Sequence, residues 1–217
     1  MLPIRLAEKE GPLNILCIGA HSDDIEIGCG GAMLTLRKRY PDARIVWVVL
    51  SGSKERQEEA ERAAAAMLGD ADYEFQTGHF RDGFFPYQGL EVKEFFESLK
   101  KTTEPDVIFT HHRNDLHQDH RLVSELTRNT WRAHFVLEYE IPKYDADLGH
   151  PNTFVPLEPD VLARKIAVLM EYFGTQRSKQ WFDEETFRGL MRLRGIECAS
   201  PTGYAEAFHA PKLLLLG

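Results

Sequence analysis

The chain has few cysteines, no long apolar run and no excess of positive charge. Its three cysteines, Cys17, Cys29 and Cys198, lack CxxC spacing, so neither a disulfide framework nor a thiolate zinc site is indicated. No apolar run approaches the roughly 18 residues of a membrane span, and no signal-peptide pattern is seen near the N-terminus. A net charge of −8 argues against a nucleic-acid or anionic-membrane binder. We therefore expect a cytoplasmic protein that binds neither nucleic acid nor membrane.

Short apolar segments alternate with helical patterns over most of the chain. Segments 14–19, 44–50, 73–76, 106–110 and 134–141 are typical of strands. Helices are expected at about 29–39, 54–68, 90–101, 119–132, 160–173 and 184–194, whereas turn residues dominate 142–159. This alternation predicts a single α/β domain with a mainly parallel sheet and helices on both faces.

Two polar clusters follow two of the expected strands. The first contains His21, Asp23 and Asp24, and the second, at residues 111–120, contains four of the nine histidines. Because the carboxyl ends of parallel strands lie at one edge of a sheet, where ligands bind, we expect the clusters to converge. Two adjacent carboxylates repel each other, and a bound cation would offset that cost.

These residue types suit a catalytic metal site. Such a zinc site takes three protein ligands from His and carboxylate and leaves the fourth position to water. His21 and Asp24 can provide two ligands, and either His120 or His117 the third. A further carboxylate would serve as general base, because the metal lowers the pKa of its water toward about 7. An imidazole held by a carboxylate could stabilise the oxyanion and protonate the leaving group.

Both clusters also resemble the motifs of one enzyme family. Residues 20–31 are similar to the A-H-P-D-D-x-E…G-G signature of the LmbE-like/PIG-L family of zinc-dependent N-deacetylases. Residues 112–120 are similar to that family's second motif, H-x-x-D-x-H-x-D-H, and weaker similarity covers 56–69, 82–83 and 204–208. The chain has Ser22 where the family usually has proline, and Asp115 and Leu116 stand where some members have a gating tyrosine. Segments 142–158 and 174–200 show no similarity.

The resemblance implies a Rossmann-like domain over residues 1–217 that deacetylates an N-acetylated amino sugar of the N-acetylglucosamine type, or its glycoside. The implied cofactor is Zn²⁺, with another divalent metal such as Fe²⁺ as the alternative, and the implied partner is the small-molecule sugar. Whether the chain forms a homo-oligomer is left open. The matched residues are His21, Asp24 and His120 as metal ligands, Asp23 as general base, His117 as acid and oxyanion stabiliser, Asp119 as the residue orienting His117, and Arg56 and Asp82 as sugar contacts.

Other interpretations account for single features of the sequence. Asp23 and Asp24 could cap the following helix, and His111 and His112 could be ordinary loop residues. Residues 28–31 lack the glycine spacing of a dinucleotide-binding loop. Two histidines and one carboxylate also describe a non-haem iron oxygenase, which oxygen dependence would reveal. The last alternative is a non-catalytic sugar- or metal-binding relative, which turnover of an N-acetylated sugar would exclude.

Overall fold

The computed structural model describes residue 6 and residues 10–214, where seven strands and six α-helices alternate. The strands are β1 (Asn14–Gly19), β2 (Arg44–Ser51), β3 (Asp72–Phe80), β4 (Val107–His111), β5 (Phe135–Tyr139), β6 (Thr153–Pro156) and β7 (Ala205–His209). The helices are α1 (Asp24–Arg39), α2 (Lys54–Leu68), α3 (Gly89–Thr102), α4 (Gln118–Thr130), α5 (Pro159–Tyr172) and α6 (Glu184–Glu197). Short 3₁₀ helices lie at Phe85–Gln88 and Gly174–Gln176.

The strands form one sheet in the order β3-β2-β1-β4-β5-β7-β6. Neighbours from β3 to β5 are parallel, whereas β7 runs antiparallel to both β5 and β6. The chain passes from β1 outward to β2 and β3 and then returns to β4 on the other side of β1. The carboxyl ends of β1 and β4 therefore form the topological switch point, where open α/β sheets bind ligands. The predicted α/β class with a mainly parallel sheet is confirmed.

Two hydrophobic clusters cover the two faces of the sheet. Alternate residues of β1 contribute to different clusters: Ile15 and Cys17 pack on one side, and Leu16 and Ile18 on the other. Helices α1, α2, α5 and α6 cover the first face, and α3 and α4 cover the second. Because the central strands are buried on both faces, they appear in the sequence as continuous apolar runs, without the alternation of a half-exposed strand.

Helix α1 begins at Asp24, five residues before the start expected from the sequence. The glycines that suggested a helix start instead lie inside the helix, where they allow close packing. A Cβ atom at Gly28 would lie 2.2 Å from the Tyr139 ring, and one at Gly31 would lie 2.9 Å from Glu206 Oε1. Asp23 and Asp24 are consequently held at the first turn of a buried helix.

The antiparallel edge formed by β6 and β7 was not expected from the sequence, and β3 is longer than expected. The described elements form one domain, and none of the described helices is long and apolar enough to cross a membrane. The extension of this domain over residues 1–217 stays a prediction, because residues 1–5, 7–9 and 215–217 lie outside the described part.

Candidate metal centre

The loop after β1 holds His21 and Asp24 against each other at the switch point. The backbone amide of His21 donates a hydrogen bond to Asp24 Oδ2 at 2.6 Å, so the carboxylate is held by its own loop. Ser22, which replaces the usual proline, donates from Oγ to the carbonyl of Ser51 at 3.4 Å. The hydroxyl thus ties the loop to the end of β2.

The three residues matched to metal ligands come together in the structure. His21 Nδ1 lies 3.1 Å from His120 Nε2 and 3.4 Å from Asp24 Oδ2. His120 Nε2 lies 3.6 Å from Asp24 Oδ1. Four ligand atoms bound to zinc at 2.0–2.2 Å in a tetrahedron are about 3.3–3.6 Å apart. The measured spacings are close to these values, but the two Asp24 distances end on different oxygens of its carboxylate.

Both histidine rings of this set are also held by a buried carboxylate. The other ring nitrogen of His21, Nε2, lies 3.2 Å from Asp119 Oδ2. The other nitrogen of His120, Nδ1, lies 2.9 Å from Asp115 Oδ2. Carboxylates in these positions fix the tautomer and orientation of metal-binding imidazoles. The carboxylates around His21 and His120 are therefore the partners expected of metal-binding histidines.

The electrostatic environment also favours a cation. Burial would raise the pKa of Asp24, but the neighbouring His120, His111 and His21 hold it well below its usual range. Burial and then His111 lower the pKa of His120 to about 3, so its ring is neutral. Burial opposes protonation of His21, but Asp24 and other carboxylates outweigh it and raise the His21 pKa. An ionised carboxylate and a neutral imidazole are the protonation states that bind metal. The pKa shifts of Asp24 and His120 favour these states, whereas the raised pKa of His21 means that its ring would have to lose a proton when an ion binds.

Asp23 lies beside these side chains but is held differently. It is the N-cap residue of α1, yet its side chain makes no capping hydrogen bond, which argues against a purely capping role. Its Oδ1 instead lies 3.1 Å from Arg56 Nη2. Burial, and then repulsion by Asp24, raises the pKa of Asp23 although Arg56 opposes the change. A carboxyl group with a raised pKa is a better proton acceptor at neutral pH than an ordinary aspartate.

Arg56 joins Asp23 to the outer part of the site. Its Nη1 lies 3.0 Å from Asp82 Oδ2, and Asp82 Oδ1 lies 3.2 Å from His21 Nε2. The side chain of Asp82 is 48% exposed, whereas that of Arg56 is 16% exposed. The structure therefore brings both expected sugar-contact residues to the solvent side of the centre.

His117 caps α4 and faces the histidines of the centre. Its ring centroid lies 4.8 Å from that of His21 and 4.6 Å from that of His120. His117 Nδ1 accepts a hydrogen bond from the backbone amide of Asp119 at 3.3 Å, which leaves Nε2 for the exchangeable proton. The Asp119 carboxylate, expected to orient His117, instead contacts His21 and accepts from the amides of Gly83 and Phe85.

Sequence reasoning missed one histidine of this centre. His111 was weighed as an ordinary loop residue, but its Nε2 lies 3.1 Å from Asp24 Oδ2, and its ring stacks on that of His120 at 3.8 Å. Its position as the last residue of β4 was the available signal. His112, by contrast, contacts Glu138 Oε2 at 3.1 Å and stacks on His209.

Three sets of donor atoms in this region lie within 4.8 Å of one another. One contains Asp24, His111 and His120, a second contains His21, His117 and His120, and a third contains His21, Asp82, His117 and Asp119. The sets overlap, so geometry alone leaves His117 as an alternative ligand to Asp24. His21, His117 and His120 each belong to two of these sets, whereas none of the sets among the described residues contains His21, Asp24 and His120 together.

Solved structures share this fold. A 4-carboxy-2-hydroxymuconate hydratase, GalB, from Pseudomonas putida is 19% identical with a TM-score of 0.76, covering 94% of this chain and 98% of that chain. The N,N'-diacetylchitobiose deacetylase from Pyrococcus horikoshii is 20% identical with a TM-score of 0.69, covering 90% and 82%. Because these neighbours catalyse different reactions, the fold alone does not identify the activity.

Sequence comparison is more specific. An uncharacterised deacetylase of Escherichia coli, YaiS, is 32% identical over 171 residues, which cover 73% of this chain and 89% of that protein. The family model for PIG-L, described as GlcNAc-PI de-N-acetylase, matches residues 16–131, and this range includes both polar clusters. The chain therefore belongs to the PIG-L family of deacetylases.

Proposed function

We propose that this protein is a metal-dependent hydrolase that removes the acetyl group from an N-acetylated amino sugar, of the N-acetylglucosamine type, or from its glycoside. The observation that carries the proposal is the convergence of His21, Asp24 and His120. Their ring nitrogens and carboxylate oxygens lie 3.1–3.6 Å from one another, close to the spacing of ligand atoms around a divalent ion. Asp23 adds a carboxylate beside them that is free of a capping role.

His21, Asp24 and His120 would hold the ion, which we propose to be Zn²⁺, with Fe²⁺ as the alternative. When bound there, such an ion supplies Lewis-acid polarisation of the amide carbonyl and lowers the pKa of a water molecule. Oxygen and nitrogen donors of this kind suit both metals, so the donor set does not select between them.

Asp23 would act as the general base in this reaction. Two observations support this role: the pKa of Asp23 is raised, and its carboxylate is held by Arg56 at 3.1 Å. His117 would stabilise the oxyanion by a hydrogen bond from its Nε2–H, because Nδ1 accepts from the backbone amide of Asp119. As the acid, it would deliver a proton to the departing amine from its doubly protonated form and return to the neutral ring. Proton transfers of this type contribute about 10²–10⁴-fold to rate.

Asp119 would orient a metal ligand, and Arg56 and Asp82 would contact the substrate. We propose that Asp119 orients His21, which is the imidazole that its carboxylate contacts. Arg56 and Asp82 present hydrogen-bond donors and acceptors on the solvent side of the centre, as a sugar hydroxyl requires. The choice of substrate class is supported by the family description, GlcNAc-PI de-N-acetylase, and by the structural neighbour that is a diacetylchitobiose deacetylase.

The experiment measures amine release from N-acetylglucosamine, N,N'-diacetylchitobiose and an N-acetylglucosaminide by purified protein with and without added Zn²⁺. Asp24→Asn should lower metal affinity and abolish turnover, because it removes a charged ligand. Asp23→Asn should keep the metal while turnover falls by about 10²-fold or more. The control is Asp42→Asn in the exposed turn before β2, which should behave as wild type.

His117→Ala should also keep the metal and lose turnover, by about 10²–10⁴-fold. Loss of metal in this variant would place His117 among the ligands and revise the assignment. Absence of amine release from every N-acetylated sugar, in protein that binds metal, would refute the proposed reaction. Activity that requires oxygen would favour an iron oxygenase instead.

A further inference from the structure

The segment that follows β5 contains two charged side chains that are almost fully buried. Lys143 and Asp147 lie in residues 141–150, which form no helix or strand. Their side chains are nevertheless only 7% and 5% exposed. Charged groups with so little exposure are normally paired. This segment lies outside residues 16–131, the range that the family model matches.

Both side chains contact the loop that leads into α4. Lys143 Nζ lies 2.9 Å from Asp115 Oδ2 and 2.6 Å from Asp147 Oδ2. Asp147 Oδ2 accepts a hydrogen bond from the backbone amide of Leu116 at 2.7 Å. Lys143 therefore holds the carboxylate of Asp115, and Asp147 holds the backbone of the next residue, Leu116.

The loop residues that they hold are attached directly to the candidate metal centre. The Asp115 Oδ2 atom that contacts Lys143 also lies 2.9 Å from His120 Nδ1. Asp115 Oδ1 accepts a hydrogen bond from the backbone amide of His117 at 2.8 Å. The partner of the second ring nitrogen sets the tautomer and ring orientation of a metal-binding histidine. For His120 that partner is a carboxylate which is itself held by Lys143.

We propose that Lys143 and Asp147 are positioning residues for the metal centre. Lys143 acts on His120 through Asp115, and Asp147 holds the backbone immediately before the acid histidine. The inference rests on the proposed function, because it takes His120 to be a metal ligand. Without the ammonium group, the buried carboxylates of Asp115 and Asp147 repel each other. The His120 ring then loses the fixed acceptor that directs its Nε2 toward the ion.

The test measures zinc affinity and the spectrum of the centre, which do not depend on the identity of the substrate. Lys143→Met removes the ammonium group and keeps most of the side-chain volume, whereas Lys143→Arg keeps the charge. Lys54→Met is the matched control, because the Lys54 side chain is 92% exposed. Each full-length apo-protein is titrated with Zn²⁺ against a chromophoric chelator, and the Co²⁺-loaded protein is examined by absorption spectroscopy.

We expect Lys143→Met to lower zinc affinity by about 10–100-fold and to change the Co²⁺ spectrum. Lys143→Arg should recover part of the affinity, and Lys54→Met should match wild type. In an Asp115→Asn background, Lys143→Met should add little further loss, because both changes interrupt one chain of contacts.

Wild-type zinc affinity and an unchanged Co²⁺ spectrum in Lys143→Met would overturn the inference, even if its melting temperature falls. If Lys143→Met does not fold, Asp147→Asn provides the same measurement with less change in shape. Wild-type affinity in that variant would also overturn it. A wild-type protein that binds no Zn²⁺ would instead refute the proposed function.

Discussion

A buried ion pair supports the helix that carries Asp23 and Asp24. Lys165 Nζ on α5 lies 2.6 Å from Glu206 Oε1 on β7 and donates to the Ile27 carbonyl of α1, also at 2.6 Å. The Glu206 carboxylate accepts from the backbone amides of Gly31 and Ala32 at 2.7 and 2.6 Å. Both charged side chains are 3% exposed. Lys165→Met would leave a buried carboxylate that has lost its ammonium partner.

The burial of this ion pair determines how much stability Lys165→Met should lose. Removing one partner of a buried ion pair costs about 3–5 kcal/mol. In a domain of this size, 1 kcal/mol changes Tm by about 2–4 °C, so Tm should fall by about 6–20 °C. Lys38→Met is the control, because Lys38 and Asp160 join the same two helices with side chains that are 56% and 69% exposed. Exposed pairs contribute about 0–1 kcal/mol.

Scanning calorimetry of wild type and both variants at neutral pH makes the comparison. Adding Glu206→Gln to Lys165→Met removes the stranded charge and should recover part of the lost stability. If Lys165→Met melts within about 4 °C of Lys38→Met, the buried pair contributes no more than an exposed one. The account of how α1 is held would then be wrong.

Two further predictions concern pH and the loop at the site. Burial opposes ionisation of Glu140, but His209 and Arg194 outweigh it and lower its pKa, so its contribution to stability is complete above about pH 5 and is lost as pH falls through the lowered pKa. Arg194→Met should show a smaller fall in urea midpoint between about pH 5 and 3 than wild type; equal falls would contradict this. Gly52→Ala should lower the free energy of unfolding by about 1–3 kcal/mol, because Gly52 has a φ of +152° and a Cβ there would lie 2.5 Å from Ser22 Oγ. Gly89→Ala, whose added Cβ meets nothing within 4 Å, is its control, and equal urea midpoints for the two variants would refute the argument.

The parallel part of the sheet could be predicted because its strands are short apolar runs between helical patterns. The start of α1 was misplaced because glycine usually marks a helix end, whereas Gly28 and Gly31 lie inside α1 against Tyr139 and Glu206. The antiparallel edge could not be predicted because β6 is only four residues long and none of them is fully buried, so it lacks the apolar run of a central strand. The pairing of such a strand depends on tertiary contacts more than on local propensity.

The candidate metal centre, too, could be predicted from the sequence only in part. The two motifs and their resemblance identified His21, Asp24 and His120, which the structure brings together. The roles of these residues stay predictions until metal binding is measured. Neither the contact of Asp119 with His21 nor the burial of Lys143 could be predicted from sequence, because each depends on how separate loops pack.

The sequence by itself determined the α/β class, the family and the chemical groups available at the ends of β1 and β4. These follow from local hydrophobic patterns and from motifs whose residues are close in the chain. Only the tertiary structure decided which groups touch: Asp119 with His21, Asp115 with His120, and Lys143 with Asp115. The physical reason is that a hydrogen bond or metal site requires atoms within about 3 Å of each other. The chain reaches that precision only when the sheet and its loops are packed.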